Sequence, residues 1–432
     1  MPKAVTSNEP SKRRWYDRIG PGLITACVVI GPGSILTSSQ VGAKHDYTLL
    51  WVIITAVVFM LTYTTLAAKL GIVSQRPLGD LIAERTGRWL AALIGLGAFF
   101  ISAAYQFGNN LGVHSALAVY VGNFDWSLSV AGTNINPFNY LVVLFNALSI
   151  TFLFGFANLY KALERLMMTF VALMLFSFAL NLYFARPNPT GLLRGFIPSY
   201  SPETWDLSLL GLVGTTFVIT AAYYQSYLVR QKGWGEAEMR SGLVDARIGA
   251  VIIALITMML MSTAAVLLKT VPTSVEDVAI SLKPLLGAGG QAVFCLGLFA
   301  AAYSSFLVNS MIGGFILCDG LGLPSHSEAM APRLFTAAVL LVGMFVGLYV
   351  IHTGAPPIPA IVAAQAATVL AAPLMAGVLL WLTNCKSIMG EYRNGPILNS
   401  LAIGGLVLLI LMAGRLAIYN VWPALRPLIG AQ

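Results

Sequence analysis

The chain has 432 residues, of which 57% are hydrophobic and only 10% charged, and its mean hydropathy is +0.80. A soluble domain carries about 25% charged residues, so this composition excludes a soluble globular protein and implies one polytopic membrane domain. The formal charge of +8 does not indicate a nucleic-acid partner, because the basic residues lie in short loops between apolar spans.

In chain order, residues 1–19 read as a polar, basic cytoplasmic tail, since the span that follows has no small-residue cleavage site. A single transmembrane domain is expected over 20–425. Windows of about 20 apolar residues give about eleven spans: 21–42, 47–72, 90–121, 138–158, 163–185, 208–230, 246–269, 290–318, 333–352, 358–383 and 397–421. The longer connections are 124–137, 186–206, 271–289 and 320–332.

The first span, GPGLITACVVIGPGSILTSSQ over 20–40, is interrupted by Gly31-Pro32-Gly33-Ser34. Proline lacks a donor and clashes with the preceding turn, and glycine loosens the chain, so the helix should unwind there. Freed backbone groups at membrane depth are tolerated only where protein or a water-filled cavity satisfies them. Such a break marks a transporter's substrate site; a helix merely kinked at Pro32 is the plainer alternative. An inverted repeat would put a second break in the sixth span, LGLVGTTFVITAAYYQSY. Gly214, Thr215, Thr216 and Thr220 are weak helix formers, but no proline is present, so a plain helix fits this stretch equally well.

With the N-terminus inside, the inner segments hold 18 lysines and arginines against 7 on the outer side. That bias sets the orientation, and an odd span count puts the C-terminus outside the cell's inner (plasma) membrane, where a multi-pass chain is expected. The four cysteines, Cys27, Cys295, Cys318 and Cys385, have no paired or metal-type spacing and read as free thiols. No phosphate loop, zinc motif or nucleophile–base pair stands out, so no enzyme activity and no cofactor are expected.

Several stretches together resemble the NRAMP (natural resistance-associated macrophage protein) family of proton-coupled divalent-metal transporters. The first span is similar to that family's Asp-Pro-Gly-Asn helix and GTTFVITAAYYQSYLV to its Met-Pro-His helix. The segment from Leu298 through Ser304-Ser305 to Asp319-Gly320, and the tenth span with Gln365 and Pro373, are similar to two further helices. The resemblance covers nearly the whole chain. It implies an all-α membrane protein with a LeuT-type 5+5 inverted repeat, interrupted in helices 1 and 6. Repeat one would span about 20–185, repeat two about 207–383, and an extra helix 397–421.

The departures from the family pattern carry the chemistry. The family's metal-binding Asp falls on Gly31, its Asn on Ser34, the backbone-carbonyl ligand on Thr215, the Met ligand on Val218 and the next Pro on Ile219. The histidines of that helix fall on Thr220 and Gln225, and the proton-relay acids of the third span fall on Gln106 and Asn109. All 17 carboxylates fall in loops, tails or span ends. A dehydrated divalent cation usually needs at least one carboxylate, and a relay needs groups that titrate. The single titratable candidate deep in a span, thiols and phenols aside, is His114, which as a lone histidine is more often a packing residue.

The expected substrate site is therefore Gly31, Ser34, Gln106, Asn109, Thr215, Val218, Thr220 and Gln365, with Asn110, Gln225 and the aromatic residues Tyr105, Phe107, Tyr223, Tyr224 and Tyr303 around it. The amides and hydroxyls also fit a plainer role as ties between helices. The family implies a metal ion; the residues favour a hydrated, Mg²⁺-like cation with weak or no proton coupling. Two alternatives stand beside it. One is a transporter of a small organic solute or metal–organic chelate, suited to apolar walls with a few polar groups. The other is a non-transporting sensor on the same fold, weakened by the lack of an appended soluble domain. A monomer in the lipid bilayer, with an ion or small molecule as its partner, is expected.

Overall fold

The computed structural model describes residues 20–121, 128–130, 133–135, 140–156, 158–199, 207–268, 270–354 and 358–425. The expected tail over 1–19 lies outside them. Every expected span falls on helix. The elements are α1 (Pro21–Val29), α2 (Pro32–His45), α3 (Leu50–Ser74), α4 (Leu78–Thr86), α5 (Arg88–Val121), α6 (Leu141–Gly155) and α7 (Leu159–Ala185). They continue with α8 (Pro189–Gly195), α9 (Leu207–Thr216), α10 (Ile219–Gln231), α11 (Met239–Leu267), α12 (Val275–Gly320), α13 (Met330–Thr353), α14 (Ile358–Asn384), α15 (Lys386–Met389) and α16 (Pro396–Leu416). Among the described residues seven helices are long and apolar enough to cross a membrane unbroken. Two bent pairs qualify when joined, and one of them is α1 with α2.

The first span is broken rather than kinked. α1 and α2 meet at 59°, with Ile30 and an extended Gly31 between them. Pro32 opens α2 at its first position, where a missing N–H costs nothing and the fixed φ suits a helix start. The sixth span is broken as well, at Phe217 and Val218 between α9 and α10. The local cause is a run of β-branched residues whose hydroxyls compete for carbonyls: Thr215 Oγ1 donates to Gly211 O at 2.8 Å and Thr216 Oγ1 to Leu212 O at 2.7 Å. The tertiary cause is Phe217, which turns out of the helix against Tyr63 and Phe59 of α3, with ring centroids 5.5 and 6.0 Å away.

These broken helices lie at the centre. Every residue of α1 is buried, as is α10 from Ile219 to Val229. α12 packs most extensively on α5 and then on α7, and α11 packs on α2, α3 and α1. α13 and α16 sit at the periphery, with most of their apolar residues facing outward, as lipid-facing helices should.

Four expectations are corrected. The connection 124–137 carries a short two-stranded antiparallel hairpin, β1 (Leu128–Val130) with β2 (Thr133–Ile135), in an otherwise helical set of described residues, as an all-α fold requires of its membrane part. The connection 186–206 contains α8. α11 begins at Met239, which puts Asp245 inside a helix rather than at a span end. α12 begins at Val275, within the expected connection 271–289, and turns at Gly287 (φ 70°), a left-handed conformation that favours glycine. A reciprocal Ser274–Asp277 cap starts it, and the Thr273 hydroxyl helps hold the Asp277 carboxyl below its ordinary range.

Close helix approach depends on glycine at several seams. A Cβ on Gly42 of α2 would overlap the Met261 carbonyl of α11 and come within 3.0 Å of Ala264 Cβ. Gly42→Val should therefore separate α2 from α11 and destabilise the protein by about 1–3 kcal/mol, the usual cost of overpacking, read as a lowered melting temperature in detergent.

Candidate substrate site at the helix breaks

The break in the first span frees carbonyls at the end of α1. Two hydroxyls of α12 approach them: Ser305 Oγ donates to Val28 O at 3.3 Å, while Ser304 Oγ lies 3.5 Å from Cys27 O and shares its one hydrogen with the nearer Ala301 O at 3.2 Å. Ser305 also fills the space beside Gly31, where a Cβ would lie 2.9 Å from its Oγ and 3.5 Å from Asn109 Oδ1. A side chain at position 31 would therefore meet the Ser305 hydroxyl of α12 first, with Asn109 of α5 in ordinary contact beside it.

The two breaks face one another. Thr37 Oγ1 donates to Gly33 O at 2.9 Å and lies 3.0 Å from Thr215 Oγ1. Gly33 itself packs beside Thr215, with 3.8 Å between a built Cβ and Thr215 Cγ2. Ser34 is buried, and its Oγ has no partner among the described residues. Val218 caps α10 through extended backbone and brings no polar side chain. Thr220 is buried one residue into α10.

Behind the gap runs a neutral amide network. Asn309 Nδ2 of α12 donates to Ser102 O at 2.8 Å and points its other hydrogen toward Gln106 Oε1 at 3.4 Å. Asn109 Nδ2 donates to the same oxygen at 3.1 Å. Two donors on Oε1 fix the Gln106 amide, and its Nε2 is left without a partner among the described residues. Asn110 donates to Gln106 O and accepts from Asn146 of α6 at 2.7 Å. The backbone of Gly343 in α13 lies directly against the Gln106 side chain.

The structure brings together Gly31, Ser34, Asn109 and Thr215 around the gap, with Gln106 immediately behind. Gln365 belongs to α14, but its side chain lies outside the described residues. His114 stands eight residues beyond Gln106 on α5, about 12 Å along the helix, and is half-buried. Several surrounding residues serve packing. Tyr303 is stacked among Phe299, Phe306 and Phe145, and Tyr224 stacks on Tyr227. Gln225 Oε1 accepts from the Thr25 hydroxyl, and Tyr105 is exposed. Ser304, Ser305, Asn309 and Asn146 lay outside the expected set; the Ser304-Ser305 pair was the one visible signal, through its likeness to a family helix.

Among the described residues no three of His, Cys, Asp or Glu gather where one ion could be held. The groups offered at the gap are hydroxyls, amides and backbone dipoles, all neutral.

A family model described as natural resistance-associated macrophage protein-like matches residues 22–419. The chain belongs to the Nramp family. Among its relatives, the divalent metal cation transporter MntH of Chromohalobacter salexigens is 27% identical over 407 residues, covering 90% of this chain and 88% of that one. MntH of Bacillus subtilis is 23% identical over 424 residues, covering 91% and 93%. A manganese transporter of Eremococcus coleocola, solved with an aromatic bis-isothiourea compound, superposes with a TM-score of 0.78 at 17% identity, covering 98% of this chain and 91% of that one. These relatives are transporters rather than enzymes by name, and the Nramp chain described here has the same membrane-helical fold.

Ser305→Ala removes the hydroxyl on the Val28 carbonyl and should lower stability by about 1–3 kcal/mol, the cost of an unsatisfied buried acceptor. Because Ser305 also occupies the space beside Gly31, Gly31→Asp should be better tolerated together with Ser305→Gly than alone. A double-mutant cycle of melting temperatures measures that coupling.

Proposed function

We propose that this Nramp-family chain is a secondary transporter with eleven crossings arranged as a LeuT-type 5+5 inverted repeat. The N-terminus is cytoplasmic, the C-terminus is outside, and the chain works as a monomer in the cell's inner membrane. Its substrate is a divalent cation that keeps most of its water, Mg²⁺-like rather than a bare transition metal, and its proton coupling is weak or absent. The names of the relatives support a divalent cation as the substrate class.

The single observation that carries the hydrated form is the neutral lining of the gap. Ser34, Asn109 and Thr215 stand at the breaks, no three of His, Cys, Asp or Glu gather there among the described residues, and the Ser305 hydroxyl lies close against Gly31. Stripping a divalent ion of water requires ligands that replace its hydration, and Mg²⁺ dehydrates reluctantly even where carboxylates are present. Neutral dipoles can instead hydrogen-bond the outside of a hydration shell. The site set is Gly31, Ser34, Gln106, Asn109, Thr215, Val218, Thr220 and Gln365, with His114 as the place to look for any residual coupling.

A second reading has its own support. The unpaired Gln106 Nε2 is a donor, and a donor suits the carbonyl or carboxylate of a small organic solute or a metal–organic chelate better than the outward-pointing hydrogens of a hydrated ion.

Proteoliposomes separate these readings. Mg²⁺ entry reported by an entrapped indicator, with no acidification of the lumen, is the expected result. Ser34→Ala or Thr215→Val should slow that entry roughly tenfold, the scale of losing one hydrogen bond to a charged group. Robust acidification that disappears in His114→Ala contradicts the uncoupled reading. Uptake of an organic acid without Mg²⁺ selects the second, and a protein that binds but moves nothing would be a sensor.

A further inference from the structure

Away from the gap, a small cavity lies between the C-terminal halves of α2, α7 and α11 and is covered by α12. It has room for about one water-sized guest. Most of its wall is apolar, but three helices each bring one polar side chain to it: Ser39 of α2, Asn181 of α7 and Thr263 of α11. These residues are 1%, 1% and 7% exposed.

Two of the polar groups are left over by the fold. Asn181 Nδ2 donates to the Ser177 carbonyl of its own helix at 3.0 Å, and Oδ1 has no partner among the described residues. Turning the amide over would set its oxygen against that carbonyl, so the cavity meets an acceptor. Thr263 Oγ1 has no partner there either. Other threonines in the spans donate to the carbonyl one turn earlier, as Thr62 does to Val58 O at 2.8 Å and Thr64 to Met60 O at 2.7 Å. Thr263 makes no such bond, although a buried polar group without a partner costs about 1–3 kcal/mol.

The electrostatics select the guest. Asn181 stands one turn before Ala185, the last residue of α7, and Thr263 one turn before Leu267, the last of α11. Ser39 is in the C-terminal half of α2. A helix carries partial negative charge at its C-terminal end. Three such ends converge here, against the one helix start of the α12 arm that follows Gly287. Phe178 and Phe294 line the same cavity with ring centroids 6.0 Å apart, and aromatic faces attract cations. Among the described residues no charged side chain lines it. Neutral oxygens can replace the hydration shell of an alkali-metal ion, as carbonyls do in potassium-selective pores. They cannot strip a divalent ion that dehydrates reluctantly.

We propose that this cavity is a binding site for an alkali-metal cation, held by Asn181 Oδ1 and the hydroxyls of Thr263 and Ser39. The bound ion ties α2 to α7 and α11, and so steadies the helix whose other end forms the gap. The site is separate from the gap and stands whatever the gap carries.

Melting of the purified protein in detergent tests it, in NaCl, KCl and choline chloride at equal ionic strength. The melting temperature should rise saturably with Na⁺, K⁺ or both over choline, which is too large for the cavity, and the cation that acts identifies the ion. Asn181→Leu and Thr263→Val remove the leftover polar groups at nearly constant size, so both should fold and melt near or above the native chain in choline. Asn181→Leu should nevertheless abolish the shift, and Thr263→Val should move its midpoint to about tenfold higher salt, the scale of losing one contact to a charged group. Thr336→Val and Ser34→Ala are the controls. Each removes a buried hydroxyl without a partner among the described residues, one on α13 and one at the gap, and each should keep the shift. Equal melting in all three salts, a shift that survives Asn181→Leu, or one that vanishes in Ser34→Ala overturns the proposal and leaves the cavity to a water molecule.

Discussion

An apolar interior leaves no water for a severed helix, so each carbonyl and N–H released at a break must find a partner in the protein or in the cavity. In this chain that constraint is met at the end of α1 by Ser305, with Ser304 sharing its hydrogen there, and at the start of α1 by Asp245. The arrangement of α5, α11 and α12 around the centre follows from it. α12 must lie alongside the gap to deliver its hydroxyls, and α11 must approach closely enough at Gly249 to deliver a carboxylate. The distribution of charge is a consequence: the acid serves the helix end, and the gap itself is left to neutral dipoles.

The break in the first span could be read from Gly31-Pro32 because its cause is local. Proline sets the start of α2 and glycine permits the extended joint. The break in the sixth span could not, because half of its cause is an aromatic pocket formed by Tyr63 and Phe59, far away in the chain. The spans were legible from hydropathy over most of their length. Their ends were less so, since α11 and α12 begin with polar turns that no apolar window includes. Asp245 stood one residue outside an expected span; burial inside a helix and the cap it makes are tertiary facts. The amide network was visible as residue types on α5, whereas its partners Asn309 and Asn146 were not, because packing alone decides which polar residues on two helices meet.

Position 31 shows how a family frame can carry altered chemistry. By resemblance an acid falls there in the family pattern; here a glycine lies against Ser305, whose Oγ would be 2.9 Å from a Cβ, with Asn109 Oδ1 in ordinary contact at 3.5 Å. A side chain at position 31 would have to displace the Ser305 hydroxyl of α12. At Gln106 an amide takes two hydrogen bonds on its oxygen, from Asn109 and Asn309.

Titration calorimetry of the purified protein with Mn²⁺ and Mg²⁺ tests the account at its centre. A gap without charge should bind both ions weakly, with no preference for Mn²⁺ over Mg²⁺ approaching that of a carboxylate and thioether site. Tight, stoichiometric Mn²⁺ binding that is lost in Ser34→Ala would contradict it.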